Sequence, residues 1–160
     1  MIDLHPAIVH VPLGLAVVLP FVILVLVNHT RWGWPRSAFG IAVALQAVLF
    51  VGALLAQRTG EGAEERVEGR VPDAAIETHE HWANAFTWTA GGVFVLLLAG
   101  WWLPAGRKRF AVRAAAVAGS FAVLGLGVVT GFKGGELVYT HGAGSVAAPP
   151  TGVEQERNDK

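Results

Sequence analysis

The chain has 160 residues, and its twelve basic and twelve acidic residues cancel to a net charge of zero. A neutral chain gives no support for nucleic-acid binding, which needs a basic surface. The lack of cysteine excludes disulfides, thiolate metal sites, iron–sulfur clusters of the usual kind and covalent c-type haem attachment. Any metal ion or haem must therefore be held by nitrogen and oxygen ligands.

Hydrophobic residues make up 53% of the chain and are gathered into four segments. The segments are residues 7–27, 38–56, 83–103 and 111–130. Each approaches the ~20 apolar residues that a helix needs to cross the hydrocarbon core of a lipid bilayer. Four such segments in so short a chain leave almost no amphipathic surface that could face water. The sequence therefore predicts an all-α integral membrane protein, a four-helix bundle within residues 1–146.

Basic residues predict the orientation of the bundle. The two short loops contain lysine and arginine but no acid, and these residues are Arg31, Arg36, Arg107, Lys108 and Arg109. Because cytoplasmic loops are enriched in lysine and arginine, both loops should be cytoplasmic and both termini should lie on the outer side. Paired tryptophans beside the loops are typical of a membrane interface.

The segment between the second and third spans, about residues 60–82, is predicted to be largely helical. Pro72 followed by Asp73 is typical of a helix start, so the third helix should begin there and continue into the membrane. A shorter helix before it should carry three acids: Glu64, Glu65 and Glu68. Residues 147–160 form a polar stretch that is predicted to be disordered.

Five of the six histidines lie near the predicted outer ends of the spans. They are His5, His10, His79, His81 and His141. Titratable, metal-binding side chains are costly in or near lipid, so their convergence indicates a site. On a helix His5 and His10 point about 140° apart, and His79 and His81 about 200° apart, so one of each pair should face the bundle. We expect these to be His10 and His79. The alternative is a set of interfacial histidines bonded to backbone carbonyls.

Two further features belong to the predicted outer end. Gly134 and Gly135 permit a tight turn, which would bring Tyr139 back to the interface and His141 over the other histidines. Simple interfacial anchoring by Tyr139 is the alternative. Arg58 is placed to neutralise a carboxylate such as a haem propionate, or to act as an ordinary snorkelling arginine.

The segments LHPAIVHVPLG, RTGEGAEERVEG, IETHEHWA and TGFKGGELVYTHGAG, in this order, resemble a bacterial family of predicted membrane proteins, domain of unknown function 2231. The resemblance runs from Leu4 to about Val146. It implies four transmembrane helices in the bacterial cell membrane. Relatives joined to cytochrome c-like or Rieske-type modules imply a setting in electron transfer, although this chain carries no such module. Motif matching marks these positions: His5, His10, His79, Glu80, Tyr139 and His141.

The leading functional hypothesis is a haem b protein of electron transfer, with a cytochrome or another redox membrane complex as partner. Histidines on facing helices of a four-helix bundle can ligate haem iron, and His10 with His79 or His141 is the expected pair. His5, Arg58 and Tyr139 would complete the haem site. Small residues in the fourth helix, such as Gly119 and Gly127, leave room for a cofactor or simply permit close packing, which is the commoner reason for them.

Two other functions remain open from the sequence. One is a non-haem metal site, whose candidate ligands are His5, His10, His79, Glu80 and Glu64. These acids could equally form a solvated surface. The other is a non-catalytic membrane subunit whose outer segment docks a redox partner. A transporter is disfavoured because no internal repeat is evident and no chain of ionisable residues crosses the spans.

Overall fold

The computed structural model describes residues 5–67 and 69–144. It contains four long helices, α1 (His5–Leu26), α2 (Arg36–Val67), α3 (Asp73–Trp102) and α4 (Arg107–Tyr139), with a 3-10 turn at His29–Trp32. All four are long and apolar enough to cross a membrane. The prediction of an all-α membrane protein with four spanning helices is confirmed.

The helices form an antiparallel bundle in which each one packs against its neighbours in the chain. The ring is closed because α1 also packs against α4. As a result, the starts of α1 and α3 lie beside the ends of α2 and α4, and we call this the outer end. The opposite end, which carries the two short connections, is called the inner end. Both names follow the orientation that the basic residues predict.

The core of the bundle is filled by large apolar side chains such as Leu19, Phe39, Leu49 and Leu97, each at most 1% exposed. Many other apolar side chains are exposed and would face lipid, as expected for membrane helices. Glycines let side chains from facing helices approach closely. A Cβ atom on Gly119 would lie 2.8 Å from Val93, so this small residue of α4 serves helix packing.

Arg113 joins three helices at the inner end. Its Nε donates to the carbonyl oxygen of Gly100 at 3.3 Å, and its NH1 donates to that of Val27 at 3.1 Å. The guanidinium lies 4.2 Å from the centroid of the Phe39 ring. Because the C-terminal ends of helices carry unpaired carbonyls and partial negative charge, a cation here stabilises the ends of α1 and α3 together.

Gln46 is the one strongly polar residue in the middle of α2, and its side chain has a hydrogen-bond partner. Its side chain is 1% exposed, and Nε2 donates to the carbonyl oxygen of Ala90 on α3 at 2.9 Å. A buried amide in an apolar bundle needs such a partner because no water is available to it. Gln46 thus links α2 to α3 and lies on no pathway of ionisable groups in the described part of the chain.

Two expectations about the outer end are corrected. Glu64 and Glu65 do not lie on a separate helix, because α2 continues to Val67. The expected reversal at Gly134 and Gly135 is also wrong: α4 continues to Tyr139, and neither glycine has a positive φ. Continuing the helix keeps the backbone groups paired as the chain leaves the lipid. The start of α3 at Asp73 is as predicted. Glu68 and the predicted disordered tail, 147–160, lie outside the described residues.

We predict that Arg113→Met lowers the thermal stability of the protein in detergent. The variant keeps the apolar stem but loses both donors, so two helix-terminal carbonyls lose a partner. We expect a cost of about 1–2 kcal/mol, the range for a partly exposed charged donor. Arg107→Met, an exposed position in the first turn of α4, is the control and should stay within about 0.5 kcal/mol. Equal losses in the two variants would contradict the role assigned to Arg113.

The orientation can be tested by labelling, because the natural chain has no cysteine. Thr30 is exposed at the inner end and Glu77 is exposed at the outer end. In spheroplasts, a membrane-impermeant maleimide should label Glu77→Cys at once. It should label Thr30→Cys only after the membrane is opened. The reverse pattern would place both termini in the cytoplasm.

Candidate functional site

His5, the first described residue of α1, is tied to the end of α2. Its Nδ1 lies 3.0 Å from the carbonyl oxygen of Ala56 and 3.2 Å from Oγ1 of Thr59. A carbonyl oxygen can only accept, so Nδ1 carries the proton and donates it. In the neutral ring this leaves the lone pair on Nε2. The contact to α2 therefore selects one tautomer of His5.

His79 occupies the corresponding place on α3, against the end of α4. Its Nδ1 is buried but makes no hydrogen bond in standard geometry. The backbone of Thr130 on α4 lies close enough to interact with the ring. The side-chain Oγ1 of Thr130 is itself buried without a hydrogen-bond partner. Polar atoms in this state usually have an additional partner such as an ordered water molecule.

The two histidine rings pack over glycines in the same way. A Cβ atom on Gly60 would lie 3.3 Å from Cε1 and 3.6 Å from Nδ1 of His5. A Cβ atom on Gly134 would lie 3.2 Å from Cε1 and 3.6 Å from Nδ1 of His79. Each glycine therefore leaves space for a histidine ring to pack against the neighbouring helix. In both cases the ring edge with Cε1 and Nδ1 faces the glycine.

The two helical hairpins also correspond two helical turns further into the membrane. Pro12 follows His5 by seven residues, and Phe86 follows His79 by seven. Pro12 lies 3.4 Å from the Cβ position of Gly52 on α2, and Phe86 lies 3.2 Å from that of Gly127 on α4. The hairpins α1–α2 and α3–α4 thus correspond at these two contacts, although the two glycines are eight residues apart in α2 and seven in α4. Sequence inspection missed this repeat because Pro12 and Phe86 have no chemistry in common.

The two matched histidines share the outer end of the bundle. His5 lies close enough to His79 for the charges of the two rings to interact. One difference separates them: Thr59, the residue before Gly60, supplies a hydroxyl to His5, whereas Lys133 precedes Gly134 and pairs with Glu136 at 2.7 Å. His5 is held in place by α2, whereas Nδ1 of His79 lies near the backbone of Thr130 without a hydrogen bond in standard geometry.

The structure places His10 differently from the expectation. Its side chain is exposed, and its Nδ1 is bonded to the carbonyl oxygen of Pro6 in its own helix. His5 rather than His10 is therefore the histidine of α1 that packs against a neighbouring helix. The 140° separation predicted from helix geometry holds, but it was the first of the pair that turned inward.

The other marked residues lie further from the pair. His81 is exposed against Trp82, with ring centroids 5.7 Å apart, and Tyr139 is 89% exposed at the end of α4. His141 follows α4 and is half-buried. Arg58 and Glu80 are exposed. None of these five side chains has a described contact with His5 or His79.

Glu64 is the acid best placed to join the pair. It follows Gly60 by one helical turn on α2, so it lies on the same face of the helix as the position under His5. It is half-buried. Even so, within residues 5–67 and 69–144 no three histidine, aspartate or glutamate side chains are grouped closely enough to form a metal site by themselves.

The sixth histidine, His29, lies at the inner end and is 5% exposed. It stacks on Phe39, and its Nδ1 lies 3.1 Å from the carbonyl oxygen of Trp34. The ring packs in the connection between α1 and α2, far from the other five histidines. Its burial was missed because the loop sequence around it is polar.

The fold and the paired histidines define an integral membrane four-helix protein built from two matched hairpins. The chain belongs to the family described as predicted membrane protein (DUF2231), whose model matches residues 1–147. The family resemblance seen in the sequence is thus confirmed. No match was found among curated proteins or solved structures.

We predict that Gly134→Ala displaces the His79 ring, because the added methyl group would lie 3.2 Å from Cε1. Gly135→Ala is the matched control, since nothing lies within 4 Å of its Cβ position. Both changes raise helix propensity equally, so a difference between them reports the local contact. The Hε1–Cε1 NMR signal of His79 should move in the first variant and stay in the second. Equal movement in both would contradict the packing described.

Proposed function

We propose that this membrane protein binds one transition-metal ion at its outer end, through Nε2 of His5 and Nε2 of His79. The observation that carries the proposal is the contact between Nδ1 of His5 and the carbonyl oxygen of Ala56. Histidines that bind metal ions through one nitrogen usually donate the other N–H to a carbonyl or carboxylate. The contact between Nδ1 of His5 and the carbonyl oxygen of Ala56 is of this kind.

The pairing of the two rings supports the same proposal. Two neighbouring imidazoles repel each other when both are protonated. Burial in an apolar setting also disfavours the protonated form of each ring. A bound cation requires both rings to be neutral and replaces the repulsion by two shared bonds. The matched packing over Gly60 and Gly134 places the two rings in equivalent positions in the two hairpins, so each hairpin would contribute one imidazole.

Two protein nitrogens leave part of the coordination sphere to other groups. Glu64, one helical turn after Gly60 on α2, is the carboxylate whose place in the helix suits a further ligand. Water or an external ligand would occupy the remaining positions, and an open position is typical of a metal site that acts on something rather than one that only stabilises a fold.

The two imidazole ligands limit which metal ions could bind. Imidazole suits zinc, copper, iron and nickel, whereas magnesium and calcium prefer oxygen ligands throughout. If the ion is copper or iron, its one-electron chemistry at the outer surface would suit the electron-transfer setting that the family resemblance implies. A cytochrome or another redox membrane complex would then bind at the outer end of the bundle.

Haem b receives less support from the described helices. His10, the expected ligand, is exposed and bonded to its own helix, and side chains of α1 and α3 take up the space beside Gly119 and Gly127 of α4. A groove of about 480 Å³ between α1 and α2 is lined only by apolar residues and contains no histidine. We therefore derive no role for haem inside the bundle.

The proposal predicts one metal ion per chain when the purified protein is titrated with zinc(II) or copper(II). His5→Ala and His79→Ala should each lose the ion, because a single remaining imidazole binds weakly. His81→Ala, an exposed position two residues from His79, is the matched control and should bind normally. Helix content, measured by circular dichroism, must be retained in all variants.

Three results would decide against the proposal. Failure of the natural chain to bind either ion would leave the non-catalytic, partner-docking subunit as the remaining function. Metal binding that survives both His5→Ala and His79→Ala would place the site elsewhere. Sharp haem bands in a reduced-minus-oxidised spectrum, lost in His10→Ala, would restore the haem hypothesis.

A further inference from the structure

The inner end of the bundle gathers positive charge without any acid. Its six cations are Arg31, Arg36, Arg107, Lys108, Arg109 and Arg113. All twelve acidic residues lie outside residues 4–60 and 81–135, which include the whole inner end. The charges at this end therefore cannot be neutralised by a carboxylate of the same chain without crossing the membrane.

The tertiary structure concentrates part of this charge. Arg36, at the start of α2, and Arg113 donate to the adjacent carbonyl oxygens of Trp101 and Gly100 at the end of α3. Arg109, in the first turn of α4, precedes Arg113 by four residues, so the two lie on the same face of that helix. The guanidinium of Arg113 already donates hydrogen bonds to two carbonyl oxygens. Three guanidinium groups from two helices thus meet in one region, and an anion there would relieve their mutual repulsion.

Arg36 is held in position for such an anion. Its NH2 donates to the carbonyl oxygen of Trp101, and its guanidinium lies 4.7 Å from the centroid of the Trp101 ring. Stacking on the ring fixes the plane of the guanidinium and leaves its other N–H groups available. The side chain is exposed, as is that of the neighbouring Trp102, which is 76% exposed.

The surroundings place the cluster at the level of lipid headgroups. Exposed tryptophans flank it, namely Trp32, Trp34 and Trp102. Indole side chains prefer the membrane–water interface, where the phosphates of phospholipids lie. Arginine binds phosphate through paired hydrogen bonds, and basic pockets between transmembrane helices are suited to anionic lipids.

We propose that the inner end binds the headgroup phosphate of an anionic phospholipid between Arg36 of α2 and Arg109 of α4. The proposal is independent of the metal site, which lies at the opposite end of the helices. The lipid would offset the repulsion among the three arginines and connect the starts of α2 and α4.

Native mass spectrometry of the detergent-purified protein tests this proposal with phosphatidylglycerol as the probe and phosphatidylcholine as the neutral comparison. We expect phosphatidylglycerol to bind more tightly, and Arg109→Gln to weaken it about fivefold, as expected for one arginine near the membrane surface. Arg36→Lys, which keeps the charge but loses the planar fork, should weaken it less. Arg70→Gln, the same charge change at the outer end, is the matched control.

Each alternative outcome has a distinct meaning. Equal binding of both lipids, or equal weakening by Arg70→Gln and Arg109→Gln, would overturn the proposal. Displacement of the lipid by millimolar inorganic phosphate would show that the site takes a free anion rather than a headgroup. Arg109 makes no described contact that supports the fold, so loss of binding in Arg109→Gln with unchanged helix content would not reflect unfolding.

Discussion

A polar group inside the hydrocarbon core cannot form hydrogen bonds with water, so it needs a partner within the protein. Several contacts between the helices of this bundle follow from that constraint. Gln46 bonds to a backbone carbonyl of α3, and Arg113 bonds to the carbonyls that end α1 and α3. His5 does the same with the end of α2. Gln46, Arg113 and His5 thus each connect their own helix to a neighbouring one.

The two ends of the bundle differ in chemistry because no acidic residue lies in the segments that form the inner end. The outer end combines acids with paired imidazoles, which suits a cation. The inner end combines arginines with tryptophans, which suits an anion at the level of the headgroups. The matched hairpins explain how a chain of this size builds the outer site: each hairpin supplies one histidine, and one glycine in the next helix makes room for its ring.

The fold was largely predictable from the sequence. Four apolar segments of spanning length indicate four helices without reference to tertiary contacts, and Pro72–Asp73 marks the start of α3. The site was predictable only in part. The choice of His79 over His81 agrees with its packing against α4, but His10 was preferred to His5. The reversal at Gly134 was wrong because glycine permits a turn without requiring one, and here a histidine ring takes the space instead.

Hydropathy and length determined by themselves that this is a membrane protein with four helices, and the lack of cysteine determined that any metal ligand in this chain must be nitrogen or oxygen. These properties depend on composition along one helix at a time. The tertiary structure alone decided which histidines pack against a neighbouring helix, that Gly60 and Gly134 make room for their rings, and that Arg36 and Arg113 both bond to the end of α3. Such contacts depend on the rotation and depth of each helix relative to its neighbours, which the pattern within a single helix does not contain.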